Sequence, residues 1–79
     1  MTPRLPVVSG ATVVQVLERL GFRRVGQRGS HVKLRRQYEG TVLTAIVPLH
    51  AELAPGTFQS ILRQAAINLE EFTDALDKA

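Results

Sequence analysis

Seventy-nine residues, 44% of them apolar, suffice for one small domain over residues 1–79 and leave no room for a second. With no cysteine, a disulfide framework, a thiolate metal site and a cysteine nucleophile are all excluded. The formal charge is only +3, but six of the ten cations (Arg23, Arg24, Arg28, Lys33, Arg35, Arg36) fall between Gly21 and Tyr38 with no acid among them, so polyanion binding stands beside a merely solvated strand surface.

The start, Met1-Thr2-Pro3-Arg4-Leu5-Pro6, has two prolines where a signal peptide needs an unbroken apolar helix, and no apolar run approaches membrane-spanning length. The expected location is the cytoplasm. Ser9 can then cap a helix over Gly10–Leu20, in which Val13, Val16, Leu17 and Leu20 recur on one face until Gly21 stops it. From Phe22 the period changes. Phe22–Gln27, Ser30–Tyr38 and Thr41–Val47 read as strands separated by Arg28-Gly29 and by Glu39-Gly40, which gives a three-stranded antiparallel sheet.

Alternation in the second strand turns Val32 and Leu34 toward a core and His31, Lys33 and Arg35 the other way. The third strand, with Val42, Leu43, Ala45, Ile46 and Val47, is apolar on both sides and is expected to be the best buried, though its inward face cannot be read from pattern. Pro48 ends it. Pro55 suits the first turn of a second helix through Ala66, with Phe58, Ile61, Leu62 and Ala65 on one face. Asn68 and Glu71 form a variant capping box for a last helix, Leu69–Asp77, whose apolar stripe is Leu69, Phe72 and Leu76. The expected class is α+β: a helix, a three-stranded antiparallel sheet, then one or two C-terminal helices, with helices on one sheet face and the opposite face open.

His31 follows a Gly-Ser turn on the same expected face as Lys33 and Arg35 and close in sequence to Arg28. Imidazole is the side chain suited to proton exchange near neutral pH, and neighbouring cations stabilise the extra charge on a pentacoordinate phosphorus. RNA brings its own nucleophile, the 2′-hydroxyl, and DNA does not. A plain surface histidine on a basic strand fits the same pattern. His50, in Pro48-Leu49-His50, could be a second acid, a substrate contact or a loop histidine. No acid clusters with a histidine at ligand spacing, and no glycine-rich phosphate loop is present, so no metal or small-molecule cofactor is expected. The phenylalanines belong to the expected core, which disfavours a base-stacking platform.

Several segments in order resemble the HicA family of bacterial toxin components: Leu5-Pro6-Val7-Val8-Ser9-Gly10, Leu20-Gly21-Phe22, Arg28-Gly29-Ser30-His31, Val47-Pro48-Leu49-His50, Pro55-Gly56-Thr57 and Ser60-Ile61-Leu62-Arg63-Gln64-Ala65. The resemblance covers nearly the whole chain. It implies a fold similar to the double-stranded-RNA-binding domain, cleavage of messenger RNA, and a cognate antitoxin of the HicB type. The family's catalytic histidine corresponds to His31, with Arg28, Ser30, Lys33, Arg35 and His50 as expected RNA contacts. Three positions depart from the family pattern. Ala11 stands where a basic residue is common, Val32 where a second histidine is frequent, and Ala66 where helix two often ends in glycine. A left-handed backbone at Ala66 would cost about 1 kcal/mol, so an altered helix end is expected there. Two other functional classes fit the same residues: an RNA-binding module without catalysis, and a basic module that docks an acidic protein.

Overall fold

The computed structural model describes residues 5–78, so the reading of Met1 to Arg4 as unsuited to a signal peptide lies outside the described residues. The elements are α1 (Gly10–Arg19), β1 (Arg23–Arg28), β2 (His31–Tyr38), β3 (Thr41–Pro48), α2 (Pro55–Ala65) and α3 (Leu69–Asp77). The strands form one antiparallel sheet in the order β1-β2-β3. This is the expected α+β arrangement, consistent with a double-stranded-RNA-binding-domain-like fold.

Each helix is delimited by a chemical signal in its own sequence. The Ser9 hydroxyl accepts the Thr12 amide at 3.1 Å, satisfying one of the donors that a helix start leaves open. At the other end Gly21, at φ +98°, donates to the Glu18 carbonyl while Phe22 donates to Leu17, the paired bonds of a Schellman motif. α2 ends the same way without a glycine. Ala66 adopts φ 55° and donates to Arg63, and Ile67 donates to Leu62. The expected change in the helix end therefore does not occur. The left-handed turn is retained and Ala66 absorbs a strain of about 1 kcal/mol. α3 begins with the expected capping box: the Asn68 side chain accepts the Glu71 amide at 2.7 Å and the Glu71 carboxylate accepts the Asn68 amide at 3.1 Å.

One face of the sheet is covered. Val32 and Leu34 of β2 and Ala45 and Val47 of β3 are fully buried against Val13, Val14, Val16 and Leu17 of α1 and Phe58, Ile61 and Leu62 of α2. Phe58 meets Phe72 of α3 edge to face, with ring centroids 4.8 Å apart. Full burial of each large side chain contributes on the order of 2 kcal/mol. β3 is an edge strand and, as expected, the best buried of the three, with Ala45, Val47 and Pro48 buried while β2 buries Val32 and Leu34 and β1 buries none. Ala45 and Val47 point inward, while Val42 and Ile46 alternate outward and are 55% and 38% exposed. Its free edge is blunted where the Gln64 side chain of α2 accepts the Ile46 amide at 2.9 Å.

The hairpins locate the strands in register. Glu39 and Gly40 both have positive φ, the type I′ pattern favoured between twisted strands. The first turn differs by one residue from the sequence expectation. Arg28 pairs with His31, so the turn is Gly29-Ser30, with Gly29 alone at positive φ, and Arg28 belongs to β1 rather than to the turn. Among the described residues no helix is long and apolar enough to cross a membrane.

Candidate functional site

Register determines which side chains share the uncovered face. On β1 and β2, Arg28 lies directly opposite His31, Gly26 opposite Lys33 and Arg23 opposite Arg35. On the other side of β2, Pro48 is opposite His31, Ile46 opposite Lys33 and Thr44 opposite Arg35. A bulge between Arg24 and Gly26 places Val25 outside the regular ladder. The outer face is thus a basic row of His31, Lys33 and Arg35 along β2, flanked by arginines at both ends of β1 and by Ile46, Thr44 and Val42 on β3.

At the turn end, Arg28, His31, Lys33, Gly26, Gln27 and Ile46 line an open hollow of about 400 Å³. Gly26 keeps it open, since nothing lies within 4 Å of where a Cβ would stand. His31 and Arg28 are exposed and Lys33 is half-buried. The one ion pair among the described residues joins Arg24 to Glu18 at 3.5 Å on the helix side, so no carboxylate neutralises Arg28, His31 or Lys33. Direct cross-strand pairing brings Arg28 and His31 together, with Lys33 about 7 Å further along β2.

The backbone at this end is fastened from two directions. The Ser30 carbonyl accepts the Leu49 amide at 2.6 Å, which extends the β2–β3 ladder past His31 into the turn. The His50 carbonyl accepts the Gly10 amide at 2.9 Å, which ties the start of α1 to the end of β3. Gly10 is buried and a Cβ there would collide with the Pro48 carbonyl. Leu53 also donates to Val8 at 2.9 Å, so the segment before α1 and the loop after β3 run in contact. The Ser-Gly pair that begins α1 therefore serves tertiary packing as well as capping.

The expected site residues do not all gather in one place. Arg28, His31 and Lys33 line the turn-end hollow, and Ser30 occupies the turn. His50 is exposed beyond β3 and is not among the residues lining that hollow. Arg35 stands about 13 Å from His31 along the strand and lines a second, larger hollow of about 620 Å³ together with Arg23, Arg24 and Arg36. That grouping of four arginines was not read from the sequence. The unbroken cation run was visible, but only cross-strand register shows that Arg23 and Arg35 meet. Among the described residues no three His, Cys, Asp or Glu side chains come together as a metal-ligand set.

Exposed imidazole beside unpaired guanidinium and ammonium groups can bind a phosphodiester and exchange a proton with it. Comparison with known proteins adds a family. Residues 10–67, well over half of the chain, match the family model described as the HicA toxin of bacterial toxin-antitoxin. A search of curated proteins gives no match. The matched segment runs from the first residue of α1 through β1, β2, β3 and α2 to Ile67, and so includes both hollows and the Gly10 contact while α3 lies beyond it. The chain belongs to the HicA toxin family, the toxin side of bacterial toxin-antitoxin systems.

Proposed function

We propose that this protein is an endoribonuclease that cleaves messenger RNA, with His31 as its catalytic residue and a HicB-type antitoxin as its neutralising partner in the cytoplasm. The observation that carries this reading is the pairing of His31 with Arg28 across β1 and β2, with Lys33 on the same face and no carboxylate to neutralise them. An imidazole nitrogen of His31 accepts the proton of a ribose 2′-hydroxyl as its oxygen attacks the adjacent phosphorus in line. The new O2′–P bond forms while the P–O5′ bond breaks, and the departing 5′-oxygen takes a proton from His50, a lysine or water. Arg28 and Lys33 stabilise the charge that develops on the phosphorus oxygens. Ser30, Arg35 and His50 are further RNA contacts in this reading. The nucleophile belongs to the substrate, so this route needs no metal-activated water.

The test is cleavage of an end-labelled RNA by wild type and by His31→Ala, each with a chelator present. The expected result is wild-type cutting that leaves a 2′,3′-cyclic phosphate and a 5′-hydroxyl, with cutting lost in the variant. Equal cutting by the variant, or wild-type cutting that the chelator abolishes, overturns the reading.

A further inference from the structure

The β1–β2 ladder ends at the pair Arg23 and Arg35, while β2 continues to Tyr38, so the sheet narrows there and leaves the 620 Å³ hollow. Two arginines directly opposite each other on neighbouring strands repel, which lowers stability unless something anionic lies between them. No carboxylate of the described residues supplies that charge, since Glu18 is engaged with Arg24. Arg36, on the helix-side face of β2, reaches the rim of this hollow beside Gly21 and is held over the Tyr38 ring at 5.1 Å from the centroid. Val25, pushed out by the bulge and 50% exposed, and Val42, 55% exposed, form apolar walls, and Gln37 adds an amide.

We infer that this hollow is a non-reacting nucleotide subsite, taking a backbone phosphate of the bound RNA between Arg23 and Arg35 and the attached base against Val25 and Val42. The inference rests on the RNA-cleaving reading of the turn end and states how the same substrate is held. The mixture of groups favours a nucleotide over an acidic peptide. The guanidinium fork matches phosphate oxygens, the aliphatic walls suit the flat face of a base, and the Gln37 amide can both donate to and accept from a base edge. The subsite stands about 13 Å from His31, within the reach of a few nucleotides of the same strand. An RNA long enough to occupy both hollows therefore binds more tightly than one filling only the turn end, and the strand is registered on His31 by a group that takes no part in the chemistry.

The experiment measures binding of fluorescent, cleavage-resistant 2′-O-methyl RNAs of increasing length, from two nucleotides to ten, to wild type, to the double variant Arg23→Gln with Arg35→Gln, and to Arg63→Gln on α2 as a comparison for charge removal elsewhere. Thermal unfolding of each protein is followed in parallel. The expected result is that wild type gains affinity as length increases, that the double variant loses most of this gain while Arg63→Gln keeps it, and that the slope of log affinity against log salt falls by about 0.7 for each phosphate no longer neutralised. The double variant should be at least as stable as wild type, because the mutual repulsion is gone. A double variant with the wild-type length dependence and salt slope, or with no more loss than Arg63→Gln, overturns the inference. Wild type that cuts RNA yet shows no length dependence overturns the subsite alone, whereas wild type that binds none of the RNAs and cuts nothing removes the cleavage reading as well.

Discussion

At the turn end of the open sheet face, Arg28, His31 and Lys33 surround a hollow whose backbone is fastened by Leu49 to Ser30 and by Gly10 to His50. At the far end, Arg23 and Arg35 face each other where the β1–β2 ladder stops, with two exposed valines beside them. Both ends carry enough positive charge to attract a polyanion. Only one carries an imidazole, and that one has its strand end pinned to a helix start. Cationic charge is tolerant of position because it acts over several ångströms, while proton transfer requires a donor and acceptor within hydrogen-bond reach. In the proposed reading, the two ends divide binding from chemistry.

The largest expected effect tests that division directly. His31→Ala should lower the rate of RNA cleavage by roughly 10²–10⁴-fold, the usual contribution of a positioned acid or base, whereas Arg35→Gln should act through RNA affinity. Single-turnover rates at saturating RNA separate the two, and equal losses of rate in both variants would erase the distinction. Next comes the fastening. Gly10→Ala should cost about 1–3 kcal/mol in denaturant unfolding, because the added methyl meets the Pro48 carbonyl and not a yielding side chain. A variant as stable as wild type would mean that the α1–β3 contact is not what holds the turn end.

Two smaller effects lie away from the contrast and control for it. Asn68→Ala removes the α3 cap and should lower stability by about 1 kcal/mol with no change in cleavage per folded molecule, measured on the same samples. Ala66→Gly should raise stability by up to about 1 kcal/mol by relieving the left-handed backbone at the end of α2. If Ala66→Gly is destabilising, the loss of unfolded-state restriction outweighs the strain.

The helices and the two faces of β2 were legible in the sequence because their signals are local. Ser9 with Gly21, and Asn68 with Glu71, act within one turn of the residues they cap, and a strict alternation such as Val32 and Leu34 against His31, Lys33 and Arg35 needs no partner strand to be read. The inward face of β3 was not legible, since Val42, Leu43, Ala45, Ile46 and Val47 satisfy either orientation, and neither was the Gln64 side chain that covers its edge.

The residues at the candidate site were all visible in the chain, down to Gly29, Ser30 and His31. Their grouping was not. A turn read one residue early leaves Arg28 outside the sheet, while the observed turn at Gly29-Ser30 makes Arg28 the direct partner of His31, and the bulge between Arg24 and Gly26 then shifts the register so that Arg23 comes opposite Arg35. A one-residue change of register reassigns every cross-strand neighbour, and register is set by long-range pairing together with the packing of one face. Sequence by itself determined which side chains are available and which side of β2 they occupy. Tertiary structure decided which of them meet, because cross-strand distances depend on pairing that no single strand encodes.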